Sequence, residues 1–133
     1  DFLIVFFVSP MRSNVPRRDA SGSDPGAPIR IAVETLADGT PLVSVWGEVD
    51  LATAPHLARV LDEAAARDRG VHVEFSHDSF IDSTGLHVLI QIARQLRSSG
   101  RTLRVTTGNP HTRGVIETTG LADTLGLQDD RTA

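Results

Sequence analysis

The sequence predicts an α/β fold: a mixed, mostly parallel sheet of about four strands with about three to four helices and an initial β-hairpin. Two strand-like apolar runs come first and are separated only by a turn, which indicates an antiparallel hairpin. After them, stretches with apolar residues at three- and four-residue spacing alternate with short strand-like runs. Strands joined through helices pair in parallel with right-handed crossovers, and we expect the helices mainly on one face of the sheet.

The composition favours a single domain and excludes several classes of protein. The chain has 133 residues, of which 40% are hydrophobic, and this suffices for one core. Its formal net charge of -4 argues against nucleic acid as a partner, because binding to a phosphate backbone needs a basic surface. There is no cysteine, which excludes disulfides, thiolate metal sites and cysteine nucleophiles.

Residues 1–28 are expected to form a disordered leader and linker ahead of the domain, which we place at residues 29–127, with a polar tail at residues 128–133. Residues 2–8 are an apolar run much shorter than the ~20 residues of a membrane span, so no direct membrane insertion is expected. Prolines, glycines and serines are frequent in residues 13–28, as in flexible linkers. The alternative is that the apolar run docks as an extra strand or covers an apolar patch, since exposed hydrophobic residues promote aggregation.

The initial hairpin is predicted from residues 29–35 and 42–49. In both segments apolar and polar residues alternate with the two-residue period of a half-buried strand. Asp38 and Gly39, in the connection between them, form a typical hairpin turn. Trp46, the only tryptophan, is assigned to the core or to a face of the sheet.

The first helix and the strand after it are read from capping and breaking residues. Thr53 is expected to cap this helix and Gly70 to stop it, and a strand at residues 71–75 follows. The second helix is predicted from Thr84 to about Ser98.

The second helix has a wide apolar stripe, because Val88 and Ile92 extend it, which indicates that a second side is covered or lies at an interface. A strand at residues 103–107 comes next. Thr112 is then expected to cap a last helix that continues through Leu125.

A search for catalytic and metal-binding sets is mostly negative. The chain has no phosphate-binding loop with a lysine and no G-x-S-x-G nucleophile elbow. Its histidines are scattered, without a metal-binding pair on one helix. A hydrolase triad of Ser83, Asp82 and a histidine stays open, because triads depend on spatial geometry rather than on adjacency in the sequence. We expect a protein that is not an enzyme and that needs no cofactor or metal.

Residues 81–86 (I-D-S-T-G-L) follow a strand and open the second helix. Asp, Ser and Thr accept hydrogen bonds from the free N–H groups of a helix start, so an ordinary N-cap is one interpretation. The same N–H groups and the helix dipole stabilise a phosphate, so a modification of Ser83 is the other. The two interpretations use the same N–H groups.

Three segments in order resemble motifs of the STAS domain family, in particular of the bacterial anti-sigma factor antagonists. They are residues 47–50 (G-E-V-D), residues 80–86 (F-I-D-S-T-G-L) and residues 119–121 (T-G-L). The resemblance extends roughly over residues 29–127 and implies a STAS-like fold.

The resemblance implies a regulator that works by partner switching. In this family the serine after the aspartate, here Ser83, is phosphorylated by an anti-sigma factor that is also an ATP-dependent serine kinase. The unphosphorylated form binds that anti-sigma factor and frees the sigma factor, and a phosphoserine phosphatase reverses the modification. Such a regulator is expected in the cytoplasm, as a monomer or a weak dimer. The residues expected to bind the partner are Asp50, Asp82, Ser83, Thr84, Gly85, Leu86 and His87.

Several positions depart from the pattern of many relatives. His87 stands where many have glycine, and three roles are open for it: a surface residue, a partner contact or a pH-sensitive neighbour of the phosphate. Glu74 and His77 also differ from the common residues, which bears on the identity of the kinase. The alternative function is that of a STAS regulatory subunit of a lipid or anion transporter, for which residues 2–8 and the wide apolar stripe would be the contact with the membrane partner.

Overall fold

The structure is a computed structural model that describes residues 5–7 and 29–128. Its elements in chain order are β1 (Val5–Phe7), β2 (Arg30–Thr35), β3 (Pro41–Trp46), α1 (Ala54–Ala65), β4 (Val71–Phe75), α2 (Ser83–Arg97), β5 (Leu103–Thr107) and α3 (Pro110–Thr118). The described strands form one sheet in the order β1-β2-β3-β4-β5. β1, β2 and β3 pair antiparallel, whereas β3, β4 and β5 pair in parallel. The predicted α/β fold, with an initial hairpin and a parallel half, is confirmed.

β1 falls in the segment for which the sequence predicts a disordered leader. It pairs antiparallel with β2, and Phe6 lies opposite Val33. The structure therefore differs from that prediction at residues 5–7, where it has the extra strand of the alternative. The physical reason is that β1 pairs with the outer side of β2, which would otherwise present a row of free N–H and C=O groups. The predicted linker at residues 13–28 and the predicted tail after residue 128 lie outside the described residues.

Among the described residues, the helices cover one face of the sheet and leave the other face open. Alternate strand residues are buried on the covered face, and helix residues close the core over them. They are Ile31, Val33, Val43, Val45, Val73, Phe75 and Val105 from the strands, and Leu57, Leu61, Leu89, Leu96 and Ile116 from the helices. Trp46 lies on the open face at 38% exposure, and the Arg30 guanidinium carbon is 5.2 Å from the centre of its ring. Of the two predicted places for Trp46, the structure has the face of the sheet.

The wide apolar stripe of α2 is covered within the domain itself. Ile92 is buried, and Val88 is partly buried against the core. α2 packs on α1 as well as on the sheet, so the stripe needs no external partner. α2 has 15 residues, and among the described residues there is no helix with the length and apolar character needed to span a membrane.

Thr53 does not cap α1 as the sequence predicts. It occupies the N-cap position, but its side chain accepts no hydrogen bond from the first turn of the helix. Its hydroxyl instead donates to the Glu48 carbonyl oxygen at 2.7 Å and accepts from the Asp50 N–H at 3.0 Å. The Asp50 carboxylate instead accepts hydrogen bonds from the N–H groups of Ala52 and Thr53, just before the helix begins. The Thr53 hydroxyl is already engaged with the preceding loop, which is why the carboxylate takes these N–H groups.

Asn109 caps α3, whereas the sequence predicts Thr112 as the cap. The Asn109 Oδ1 accepts from the N–H groups of His111 and Thr112 at 2.8 and 3.0 Å. Because Pro110 is the first helical residue, the cap falls on the residue before it. Thr112 is buried inside the helix. α3 ends at Thr118, well before Leu125, because the chain turns at residues 119–126.

Two histidines are expected to make the fold less stable in mild acid. Burial is the main cause that lowers the pKa of His56 and of His72, and the positive charge of a neighbouring arginine lowers each further. Within the described residues His56 Nδ1 has no hydrogen-bond partner. The unfolded chain takes up these protons near pH ~6.5 and the folded chain only at lower pH. The histidine contribution to stability is therefore complete above pH ~6.5, the pKa in the unfolded chain, and is lost as the pH falls below it.

We expect the free energy of unfolding, measured by urea titration from pH 8 to pH 5, to fall toward the acid end. His56→Leu should flatten this slope, because it removes the buried titrating ring. His87→Gln is the control, because it removes an exposed histidine of α2 and keeps His56 and His72 in place. Equal slopes for His56→Leu and the unmodified chain would contradict the assignment.

Candidate partner-binding site

Asp82 caps the N-terminus of α2. Its Oδ1 accepts hydrogen bonds from the Thr84 N–H at 2.9 Å, the Gly85 N–H at 3.3 Å and the Thr84 hydroxyl at 2.5 Å. The Thr84 hydroxyl is the main cause that lowers the pKa of this carboxyl, and the backbone N–H groups of Gly85 and Thr84 add to it. Asp82 is therefore an ionised carboxylate at neutral pH. It already holds the N–H groups that the sequence analysis assigns jointly to a cap and to a phosphate on Ser83.

Ser83 is the first residue of α2, it is exposed, and its hydroxyl makes no hydrogen bond to any described residue. The adjacent Thr84 is only partly exposed, and its hydroxyl donates to Asp82. The Thr84 hydroxyl bonds this carboxylate and not the backbone of the first turn, because the carboxylate is the stronger acceptor. Of the two neighbouring hydroxyls, that of Ser83 is the accessible one.

Asp82→Ala is expected to destabilise the domain, whereas Ser83→Ala is not. The loss of an N-cap side chain costs about 0.5–2 kcal/mol. Ser83→Ala removes a hydroxyl that stabilises nothing in the fold, and alanine is a good helix former at an exposed position. Chemical denaturation of the two variants is the measurement. A larger loss of stability in Ser83→Ala than in Asp82→Ala would mean that the serine is the cap.

A bridge between two loops places Asp50 and Asp82 at the same end of the sheet. Val49 pairs in parallel with Ile81. The Val49 N–H donates to the Phe80 carbonyl oxygen at 2.8 Å, and the Asp82 N–H donates to the Val49 carbonyl oxygen at 3.1 Å. Both loops follow neighbouring parallel strands, whose carboxyl ends meet at one edge.

Ser79 ties these loops to α3. This buried residue donates from its hydroxyl to the Gly47 carbonyl oxygen at 2.6 Å. Its own carbonyl oxygen accepts from the Thr112 hydroxyl at 3.3 Å. One residue therefore holds both strand ends and the start of α3 in place.

A groove of about 510 Å³ lies between the N-terminal part of α2 and α3, beside the two loops. We call it the α2–α3 groove. Its lining residues are Glu48, Val49, Asp50, Phe80, Ile81, Asp82, Ser83, Leu86, His111, Val115 and Thr119. All three sequence motifs contribute to it, although they are far apart in the chain.

The structure brings together part of the predicted partner-binding set. Asp50 joins Asp82, Ser83 and Leu86 in the lining of the groove, where Leu86 is mostly buried. Gly85 is buried beneath them, which argues against a direct contact with a partner. The other two predicted residues lie outside the groove: Thr84 bonds Asp82, and His87 is exposed one helical turn after Ser83. The three roles suggested for His87 stay predictions.

Several groove residues were missed by the sequence analysis. Phe80 is 42% exposed and packs edge-on against His111, with 5.3 Å between ring centres. Val115 lies in α3, and Thr119 directly follows this helix. Leu51, next to Asp50, is 77% exposed. The sequence alone shows that Leu51 is an apolar residue directly after a motif, and this is a signal for a contact surface. The contribution of α3 to the groove cannot be read from the sequence, because it depends on tertiary packing.

The geometry does not form the hydrolase triad that the sequence leaves open. His111 lines the groove with Ser83, but no histidine within the described residues hydrogen-bonds the serine hydroxyl. The Asp82 carboxylate orients Thr84 and the helix backbone instead of an imidazole. A serine nucleophile needs a base within hydrogen-bond reach that is itself oriented by a third group, and neither relation is present among these residues.

Comparisons with known proteins agree with the motifs. The family model described as STAS domain matches residues 32–132. The anti-sigma-B factor antagonist of Staphylococcus epidermidis is 29% identical over 105 residues, which are 76% of this chain and 95% of that protein. The protein of the same description from Staphylococcus aureus is 28% identical over 88 residues, which are 65% of this chain and 82% of that protein.

Solved structures support the same family. An anti-sigma factor antagonist from Mycobacterium paratuberculosis has a TM-score of 0.65 and 32% identity, and the match covers 74% of this chain and 84% of that one. SpoIIAA, an anti-sigma factor antagonist in its unphosphorylated form, has a TM-score of 0.62 and 17% identity, over 75% of this chain and 89% of that one. The phosphorylated form of SpoIIAA, a Bacillus cell fate determinant, has a TM-score of 0.54 and 19% identity, over 75% and 92%. At these identities the SpoIIAA likeness concerns the fold alone.

Proposed function

Because this chain belongs to the STAS domain family, we propose that it is an anti-sigma factor antagonist that is switched off by phosphorylation of Ser83. In its unphosphorylated form it binds an anti-sigma factor, which then releases its sigma factor. The relatives that bear the description of anti-sigma factor antagonist support this class of partner. The chain acts by binding and is the substrate of a kinase, not a catalyst.

The observation that carries the proposal is the state of the Ser83 hydroxyl. It is exposed, free of hydrogen bonds to the described residues, and at the margin of a groove with an apolar floor. A kinase can therefore reach it without unfolding α2. The cap that holds the helix is the neighbouring Asp82, so modification of the serine leaves the helix start intact.

A phosphate on Ser83 changes the surface rather than the fold. It adds about -1.5 to -2 charge at neutral pH. The carboxylates of Asp50 and Asp82 lie in the same groove, so the phosphate would enter a region that is already negative. A partner that buries this surface must then remove water from a phosphate that has no positive counter-charge of its own. This dehydration costs several kcal/mol.

The remaining parts of the proposed cycle follow from the family. The kinase is the anti-sigma factor itself, which uses ATP, and a phosphoserine phosphatase restores the active form. All of these partners act in the cytoplasm, where we place this chain. A structural relative described in both unphosphorylated and phosphorylated forms supports a two-state cycle in this fold.

The test is to incubate the purified chain with candidate anti-sigma factor kinases and ATP, followed by mass spectrometry of the peptide that contains Ser83. We expect one phosphate on Ser83, none on Thr84, and no incorporation in Ser83→Ala. Binding of the unmodified chain to the same kinase is measured in parallel. No binding and no phosphorylation with any candidate, together with co-purification of a transporter ATPase, would favour the transporter subunit instead.

A further inference from the structure

We propose that the α2–α3 groove seats a segment of the anti-sigma factor that carries a large apolar side chain next to an arginine or a lysine. This inference rests on the proposed function and adds the chemistry of the partner and the contribution of α3.

The floor and walls of the groove are built for an apolar side chain. Val49 and Ile81 are buried below it, and Leu86 is mostly buried beside them. Phe80 and Val115 stand at the sides and keep part of their surface exposed. The volume of about 510 Å³ falls in the range of roughly 300–1,000 Å³ that is typical of ligand pockets, so it has room for a large side chain.

Apolar exposure in the described chain concentrates around this groove. Of the three exposed large hydrophobic residues, Phe80 lines the groove, and Leu51 directly follows the groove residue Asp50 in the chain. The third, Trp46, is on the open face of the sheet and is covered in part by Arg30. Exposed apolar clusters with a polar margin mark surfaces that are buried by a partner.

The margin of the groove is acidic and pre-organised. Glu48, Asp50 and Asp82 line it, and none of the arginines among the described residues does. Asp50 and Asp82 each use Oδ1 for bonds from two backbone N–H groups, and Asp82 Oδ1 also accepts from the Thr84 hydroxyl. The second oxygen of each carboxylate makes no hydrogen bond to the described residues. Carboxylates held in one orientation favour charge-assisted bonds to a guanidinium or an ammonium group, because little side-chain entropy is left to lose.

The two features together define the partner. A partner with an apolar side chain but no cation would remove water from the carboxylates without neutralising them. A partner with a cation but no apolar side chain would leave Phe80 and Leu51 exposed to water. Aromatic or aliphatic anchors in pockets, surrounded by a polar margin, provide most of the energy in many interfaces. We therefore assign affinity to the apolar floor and the rate of encounter to the acidic margin.

The test is kinetic, with the full chain and the anti-sigma factor that phosphorylates it. Phe80→Ala is expected to raise koff by at least about tenfold, since it removes an anchor contact. Glu48→Gln is expected to lower kon and to weaken the dependence of kon on salt, with koff little changed. Trp46→Ala is the matched control: it removes an aromatic residue of similar exposure from the other face, and should leave both rates within about twofold of the unmodified chain.

A second variant tests the groove independently, in case Phe80→Ala has a folding defect. Thr119 is exposed at the α3 side of the groove, and Thr119→Arg would place a cation against the cation of the partner. It should reduce affinity at a temperature at which circular dichroism shows the variant folded, because the change also removes the Thr119 hydroxyl bonds to the Val115 and Ile116 carbonyl oxygens. A photo-crosslinking residue at position 119 should capture a peptide of the anti-sigma factor that contains an apolar residue within a few positions of an arginine or lysine.

The outcomes separate this inference from the proposed function. One outcome is that Phe80→Ala, Glu48→Gln and Thr119→Arg all bind like the unmodified chain while Ser83→Asp does not bind. The proposed function then stands, but the groove does not bind the proposed segment of the partner. A crosslinked peptide without a basic residue also overturns the assignment of the partner. If the unmodified chain binds no anti-sigma factor, the proposed function itself is wrong.

Discussion

Ser83→Asp is expected to weaken binding to the anti-sigma factor by about a thousandfold, which corresponds to ~4 kcal/mol, while Tm changes little. The aspartate would add a charge to a groove that already contains the carboxylates of Glu48, Asp50 and Asp82. A cation of the partner is shared with those groups in the complex, so a further anion must be buried without neutralisation. The fold tolerates the change, because an acidic residue in the first turn of a helix is favourable to the helix dipole.

Ser83→Asn is the matched control for this prediction. Asparagine has nearly the size and shape of aspartate but carries no charge, so its complex should lose far less affinity. Titration calorimetry of Ser83→Asp, Ser83→Asn and Ser83→Ala, together with Tm for each, separates charge from bulk. Equal losses in the asparagine and aspartate variants would mean that shape, not charge, operates the switch. A collapse of Tm in Ser83→Ala would mean that the serine is structural.

Gly85→Ala is expected to produce the largest loss of stability among single-methyl changes in the site. A Cβ at this position would lie 2.5 Å from Ile81 Cγ1 and 2.8 Å from Val49 Cγ1. Both neighbours are buried branched side chains, so the backbone or the packing must shift. Such overpacking costs typically about 1–3 kcal/mol. For a domain of this size each kcal/mol lowers Tm by roughly 4–8 °C.

The same change should also weaken partner binding. Val49 and Ile81 form the bridge that holds Asp50 beside Asp82, so a methyl group wedged between them moves the two carboxylates. We expect a lower affinity in Gly85→Ala even at temperatures at which the variant is folded. Binding measured at 10 °C, with folding checked by circular dichroism, tests this.

Gly114→Ala is the control for Gly85→Ala. Gly114 lies within α3, and a Cβ there would meet no heavy atom of the described residues within 4 Å beyond its chain neighbours and the backbone of its own helix. Alanine should stabilise the helix by about 0.5–1 kcal/mol, because glycine loses more backbone entropy on folding. Thermal unfolding of the two variants should therefore give shifts of opposite sign. A shift of the same sign and size in both would contradict the argument from packing at Gly85.

The structure revised the caps and the leader more than the fold. The spacing of apolar residues, every two residues in strands and every three or four in helices, is a local pattern. It predicted the elements from β2 onward with small errors at their ends. Thr53 and Thr112 were plausible caps by residue type, but Asp50 and Asn109 accept the hydrogen bonds. Several residues near a helix start can serve as the acceptor, and the path of the preceding loop selects among them.

The sequence by itself determined the α/β class, the order of the strands and helices from β2 onward, and the motif that contains Ser83. These features depend on residues close together in the chain, where spacing reflects geometry directly. Only the tertiary structure decided that Asp82 rather than Ser83 is the cap, that Gly85 is buried, and that α3 completes the groove. Each of these depends on side chains that meet across distant segments, and no local pattern specifies which atoms lie within hydrogen-bond reach or in contact.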